Sequence, residues 1–228
     1  MTMSILLPII EKEIDISNDF FISIYVENVD CFYNIVESFN NYSNDLFDKN
    51  IMYIMGRPIK GSEFLDFIPS LFNLDFTSKK ITNALYKRLY STCVTDHEFS
   101  NSLTKINTEI STLFQNKFID IDIPLSFDYE IAISEYLKML NVQIELNYTN
   151  KVEKLITYMK IVSQLRNISI FLTVNLEKYY TKEDLLIVAK EIGYQKIKII
   201  NIESGFAPDN SLIGLKKYIV DKDLSLLL

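Results

Sequence analysis

The stretch ISIFLTVNLEKYYTKEDLLIVAKEIGYQKIKIINIE, residues Ile168–Glu203, decides the fold class. Ile168, Ile170, Phe171, Leu172 and Val174 form a β-branched and aromatic run too short for a helix and apolar on both faces, the pattern of a buried parallel strand. Thr181 stands three residues before Asp184 in a capping-box arrangement. Leu185, Val188, Ala189 and Ile192 then recur at helical spacing until Gly193, which predicts a C-terminal stop. A second strand is predicted over Lys196–Glu203, and a helix crossing between two such strands is what a parallel sheet requires. Strand, capped helix and strand in succession place the chain in the α/β class, with 168–174 as a central strand.

Outward from this unit, residues 3–16 predict a short hairpin or edge strand, because Ile10, Ile14 and Ile16 alternate with charged residues. Phe20–Val26 predicts a strand, Asp30 a cap for a helix with Phe32, Ile35, Val36 and Phe39 on one face, and Ile51–Met55 a further strand of the same sheet. Past Gly56 the patterning turns helical. Residues 62–166 predict an inserted α-helical leg, with only Val142–Leu146 as a possible strand, so that 1–61 and 167–228 together form an α/β head. Phe99, Leu103, Ile106, Ile110 and Leu113 alternate spacings of four and three, the seam of a helical hairpin or coiled coil. Ile81, Leu85 and Leu89 before it, and Ile133, Tyr136, Leu137 and Leu140 after it, supply the matching stripes. Asn150, followed three residues later by Glu153, opens a helix with Val152, Leu155, Ile156 and Met159 facing inward.

With 228 residues and 48% hydrophobic content, the chain has enough apolar material for one large domain or a domain with an insertion. No run approaches the roughly 18 apolar residues of a membrane span, and no signal peptide is expected. Cys31 and Cys93 stand far apart, which fits thiols in a reducing cytoplasm. The net charge of −7 excludes a uniformly basic nucleic-acid surface, so any such contact has to come from a segregated patch.

Such a patch exists between residues 77 and 118. Lys79, Lys80, Lys87, Arg88, Lys105 and Lys117 stand against only Asp96, Glu98 and Glu109, a net +3 in a chain whose remainder carries −10. On a helix, Lys79, Lys80, Lys87 and Arg88 occupy the half opposite Ile81, Leu85 and Leu89. They read either as a solvated face or as a stripe that contacts DNA phosphates without reading bases. Asp120, Asp122, Asp128 and Glu130 cluster around Pro124. Oxygen ligands in an irregular segment suit calcium, while acids alternating with Ile119, Ile121 and Ile123 equally suit the exposed face of an extended stretch. His97, the sole histidine, sits in a polar break where Thr95 and Asp96 serve as caps. Gly56-Arg57-Pro58-Ile59-Lys60-Gly61-Ser62 is the one loop resembling a phosphate cradle. It departs from a P-loop because Pro58 removes a donor and Lys60 precedes Gly61. Dinucleotide and hydrolase-elbow glycine motifs do not occur.

Phe127-Asp128-Tyr129-Glu130-Ile131 running into Glu135-Tyr136-Leu137-Lys138, the pair Phe171–Asn175 and Tyr180–Asp184, and Tyr218-Ile219-Val220-Asp221-Lys222-Asp223 resemble the Csn2 family, accessory proteins of type II-A CRISPR adaptation. The resemblance covers nearly the whole chain. It implies a P-loop-kinase-like head without a working nucleotide site, an inserted helical leg, and a non-catalytic homotetrameric ring. That ring binds calcium and double-stranded DNA, with a preference for ends, and acts with Cas1, Cas2 and Cas9 in spacer acquisition. Asp128 and Glu130 carry over as calcium ligands, with Asp120 and Asp122 added by proximity. Where the family often carries basic residues near 204–210, this chain has none. Two other function classes stand beside this one: a nucleotide-dependent enzyme on a kinase-like core, and a protein-interaction scaffold.

Overall fold

A computed structural model describes residues 2–46, 49–126, 130–208 and 215–227. Phe21–Val26 forms β3, and all six of its residues are buried. Only a strand covered on both faces can take such a sequence, and β3 has neighbours on both edges: Lys198–Ser204 (β8) and Lys216–Val220 (β9), both parallel to it. Ile170–Val174 (β7) continues the sheet beside β8, and Leu65–Ile68 (β6) closes that edge, again parallel. At the opposite edge Leu226–Leu227 (β10) pairs antiparallel with β9. The six-stranded order is β10-β9-β3-β8-β7-β6, so the predicted mostly parallel sheet is present and the 168–174 run lies inside it.

The N-terminal strands do not join this sheet, contrary to expectation. Met3–Leu7 (β1) and Lys12–Asp15 (β2) form the predicted hairpin, and Met52–Ile54 (β4) pairs antiparallel with β1. Arg57–Pro58 (β5) turns back on β4, giving a separate four-stranded sheet in the order β2-β1-β4-β5. Tight turns join β1 to β2 and β4 to β5, and only antiparallel strands can be joined so. The two sheets share one core, in which Ile5, Leu7, Ile14, Ile16 and Met52 meet Ile22, Ile24, Val26, Leu172 and Ile202.

Val29–Ser43 (α1) buries Cys31, Ile35, Phe39 and Tyr42 in that core. Its cap is Asn28, whose side chain accepts the Cys31 N–H at 3.0 Å; the expected cap, Asp30, sits in the first turn instead, where a carboxylate favours the positive helix end. Lys182–Tyr194 (α7) carries the predicted capping box between Thr181 and Asp184. It does not stop at Gly193: the helix continues to Tyr194, and Lys196 makes the left-handed turn at φ 58. A Cβ on Gly193 would lie 3.4 Å from the Phe20 ring, so this glycine accommodates an aromatic neighbour. Lys151–Arg166 (α6), capped by Asn150 as expected, buries Val152, Leu155, Ile156, Met159 and Val162.

The chain divides into two compact units, residues 1–75 with 147–228, and residues 76–146. The helical unit is therefore shorter than the predicted 62–166. β6 belongs to the sheet, and α6 is tied to it by the Arg166–Asp66 ion pair at 2.7 Å and by the Tyr158 hydroxyl donating to Asp66 at 3.0 Å. Lys79–Thr95 (α3), His97–Lys117 (α4) and Ile133–Met139 (α5) make up the helical unit, and Val142–Leu146 carries no strand. No helix among the described residues is long and apolar enough to cross a membrane.

The Gly56–Ser62 segment is a hairpin rather than a cradle. Met55 and Gly56, both at positive φ, turn β4 into β5, and Gly61 opens the short helix Gly61–Phe64 (α2). The turn from β3 into α1, where a phosphate loop stands in a P-loop enzyme, consists of Glu27 and Asn28 alone. The described residues thus hold a mixed α/β fold with a helical subdomain and no P-loop or kinase-like motif. A Cβ on Gly61 would fall 2.1 Å from the Tyr42 carbonyl oxygen, a backbone atom of α1. Gly61→Ala is expected to force these segments apart and lower unfolding free energy by about 1–3 kcal/mol, read as a shift of the denaturation midpoint at unchanged slope.

Candidate functional site

Within the helical unit, Ser78 caps α3, and Ile81 is its buried residue; Leu85 and Leu89 are half-buried on the same side. That packed stripe forces the opposite half outward. Lys79, Lys80 and Lys87 are exposed there, on a helix of 17 residues; Arg88 is exposed too, but seven residues from Ile81 it lies at the edge of the packed side rather than opposite it. Lys105 and Lys117 are exposed on α4 but stand twelve residues apart, a rotation of about 120° at 3.6 residues per turn. They do not form one face with each other.

Part of the α4 seam is exposed. Ile106 is 46% and Leu113 68% exposed, and Phe99 and Phe114 are exposed beside them. What α4 buries instead is Asn107, whose amide donates to the Ile131 carbonyl at 3.4 Å and accepts the Tyr136 hydroxyl at 2.5 Å. Leu137 of α5 is buried, and Tyr136 donates through its ring hydroxyl toward α4 rather than packing as a purely apolar partner.

Asp120, Asp122 and Glu130 are exposed in an irregular segment, and Asp128 lies outside the described residues. Among the described residues no group of three or more His, Cys, Asp or Glu side chains is placed to hold a metal ion. His97 is the first residue of α4, and Asp96 is its cap, accepting the Phe99 N–H at 2.9 Å.

The head contains a second polar constellation, built across its parallel sheet. Lys217 pairs in register with Ser23, Ser23 with Asn201, and Asn201 with Thr173, so four adjacent strands carry a polar side chain in one row. One pleat further, Tyr25 lies opposite Glu203. The residues between them, Ile22, Ile24, Val26, Ile200 and Ile202, face the apolar core. Ser23, Tyr25, Thr173, Asn201 and Glu203 are all buried, and each is hydrogen-bonded. Asn201 accepts from the Thr173 hydroxyl at 3.0 Å and the Leu176 N–H at 3.1 Å, and donates to Glu203 at 2.8 Å. Glu203 also accepts the Glu177 N–H at 2.7 Å. Glu177, in the 3-10 turn Leu176–Lys178 after β7, receives the Ser23 and Tyr25 hydroxyls at 2.5 Å each. Sequence reasoning passed over this set because its members are scattered over the chain. The available signal was polar residues at alternate positions in strands otherwise apolar on both faces.

Burial pushes the Glu203 carboxyl above the ordinary glutamate range, and burial together with Glu177 pushes the Tyr25 phenol far up. An acid raised in the folded state binds more protons there than in the unfolded chain, so its contribution to stability is full at low pH and is lost as pH rises from the ordinary glutamate value through the raised one. Glu203→Gln keeps a carbonyl to accept from Asn201 and Glu177. It is expected to remove that decline, so that the melting-temperature difference between variant and wild type grows in the variant's favour as pH rises from the acid range to neutrality.

The comparisons with known proteins bear on the whole chain. The family model described as CRISPR-associated protein (Cas_Csn2) matches residues 41–224. A CRISPR-associated protein Csn2 of Streptococcus agalactiae is 23% identical over 224 residues, covering 96% of this chain and 95% of the relative. The matched span runs from the end of α1 through the helical unit and past β9; it takes in the exposed cations of α3 and, of the polar row, the residues on β7, β8 and β9 but not those on β3. The chain belongs to the Csn2 family of CRISPR-associated proteins.

Proposed function

We propose that this chain is a non-catalytic protein of CRISPR spacer acquisition that assembles as a homotetrameric ring and holds double-stranded DNA, without regard to base sequence and with a preference for ends. Family membership supports the adaptation role. The observation that carries the DNA reading is the stripe of Lys79, Lys80 and Lys87, exposed on the half of α3 opposite its packed side, with Arg88 exposed at the edge of that side. A chain of net charge −7 repels a duplex unless its cations are gathered on one surface, and several copies of one rigid stripe would gather them. Lys105 and Lys117 extend the same unit's positive charge. The open α4 seam, with Phe99, Ile106 and Leu113 exposed, offers the apolar area through which a second copy would associate. Cas1, Cas2 and Cas9 are the partners this reading names. Against a nucleotide-dependent enzyme stand the two-residue turn from β3 to α1 and the hairpin at Gly56–Ser62.

Phosphate contacts alone carry no sequence information, and their strength falls with salt as counterions are released. Affinity for linear duplex is expected to drop by orders of magnitude between low and physiological salt, to be insensitive to base composition, and to be much lower for the same plasmid as a covalently closed circle. Lys80→Glu with Lys87→Glu, checked to retain the wild-type mass, is expected to abolish binding in an electrophoretic shift assay. Equal affinity for circle and linear DNA would remove the threaded ring, and full binding by the variant would remove α3 from the interface.

Calcium is proposed as the cofactor, with Asp120, Asp122, Asp128 and Glu130 as the carboxylates that would hold it. Clustered carboxylates repel one another until a divalent cation offsets them, and binding to the folded state raises stability by mass action. Added calcium is expected to raise the melting temperature of the wild type and not of Asp122→Asn with Glu130→Gln. A melting temperature indifferent to calcium, or an equal shift in the variant, would refute this assignment.

A further inference from the structure

The polar row of the head opens into a cavity of about 210 Å³, floored by Ser23, Tyr25 and Glu177 and rimmed by Lys182 and Lys217. Parallel strands are ordinarily apolar on both faces, and this sheet keeps that rule on its α1 side, where Ile22, Ile24 and Val26 lie in the core. On the other side the rule fails at one place, near the carboxyl ends of β3 and β8. There β6, β7 and β8 step in one direction toward β3, and the connection from β8 to β9 passes over the carboxyl end of β3 to its far edge. The carboxyl ends of parallel strands are where open α/β sheets form their ligand crevices. Polar groups buried at a cost to core packing, in a concave site, mark a binding site rather than a support for the fold.

The hydrogen-bond directions decide what the floor can take. The Ser23 and Tyr25 hydroxyls both donate to the Glu177 carboxylate at 2.5 Å, so their hydrogens are used and their oxygens offer only lone pairs. Glu177 is itself an acceptor, and the floor therefore consists of acceptors alone. Burial holds the Tyr25 phenol protonated, which keeps its hydrogen on Glu177. The rim has the opposite character. Lys217 donates one hydrogen to the Pro208 carbonyl at 2.9 Å and sits 5.4 Å above the Tyr25 ring, with its remaining donors unassigned to that carbonyl. Lys182 is exposed at the first turn of α7. Lys216 also lines the cavity, but its ammonium is paired with Asp19 at 3.5 Å.

We propose that this cavity binds a small amphoteric molecule, its ammonium or equivalent N–H donor group on the Ser23–Tyr25–Glu177 floor and its oxyanion against Lys182 and Lys217. A purely anionic ligand would face the floor carboxylate, and a purely cationic one would face the rim lysines. Only a molecule carrying both poles satisfies both ends of the site. The named residues of this site all belong to the unit of residues 1–75 and 147–228, and the proposal stands independently of the DNA reading.

The test uses the full chain and three probes of one skeleton: γ-aminobutyrate, which carries both poles, and butylamine and butyrate, which carry one each. Affinities are read by ligand-observed NMR and titration calorimetry. The two-pole probe is expected to bind about tenfold or more tightly than either one-pole probe, the worth of one lost charge-assisted hydrogen bond. Glu177→Gln and Lys217→Gln are each expected to weaken it by a similar factor, with Lys190→Gln, outside the cavity, unchanged. Equal affinity of all three probes, absence of binding by the two-pole probe, or undiminished binding in both floor and rim variants would each overturn the assignment. The probe comparison on wild-type protein decides the matter even where a variant fails to fold.

Discussion

The constraint on which the head depends is the double pairing of β3. This strand hydrogen-bonds on one edge to β8 and on the other to β9, partners that lie more than 170 residues further along the chain. Parallel strands cannot be joined by a tight turn, so everything between must be accommodated as crossover. That is what makes room for an insertion as long as residues 76–146: the sheet requires β6, β7 and β8 to arrive in register, and sets no limit on the detour between β6 and β7. The Asp66–Arg166 ion pair, with Tyr158 on the same carboxylate, joins the strand before that detour to the helix after it. Pairing of such high sequence separation also means that the sheet closes late, because loop entropy is lost before the contacts are gained.

The two faces of the sheet divide the work. The side toward α1 is a continuous apolar layer shared with the N-terminal antiparallel sheet, and its burial is the main source of stability. The opposite side admits Ser23, Thr173, Asn201 and Glu203, and each finds a partner within the row or from the turn after β7. A satisfied network of this kind fixes geometry, since a shift of one residue in any strand would leave buried groups unpaired. The register of the sheet is therefore set twice, by apolar packing on one face and by hydrogen bonds on the other.

The helical unit follows a different logic. Ile81 and Leu137 are its buried aliphatic side chains among the helices, and a long stretch of apolar surface on α4 remains in contact with solvent. Monomeric proteins seldom leave such a stripe open, and the buried Asn107 within it supplies a polar contact that would fix the placement of α5 against α4. The three lysines of α3 stand on a separate face from its packed residues, so the unit can associate through one surface and present charge on another.

Local chemistry alone determined much of the head. The capping box at Thr181 and Asp184, the cap at Asn150, the β1–β2 hairpin and the α/β class follow from interactions spanning only a few residues, and these survive whatever the tertiary context. The exposure of Lys79, Lys80 and Lys87 was legible for the same reason, because a helix that packs Ile81 must turn its opposite side outward; that of Arg88, seven residues from Ile81, does not follow from this argument. Tertiary structure decided the rest. It placed β4 in a separate sheet, made Gly61 necessary through the approach of Tyr42, and drew β6 and α6 into the head. It also brought Ser23, Tyr25, Glu177, Asn201 and Glu203 together from three distant stretches of chain. Strand register, which no local pattern encodes, is the physical reason that Ser23, Tyr25, Asn201 and Glu203 share one face of one sheet, over which the turn after β7 sets Glu177.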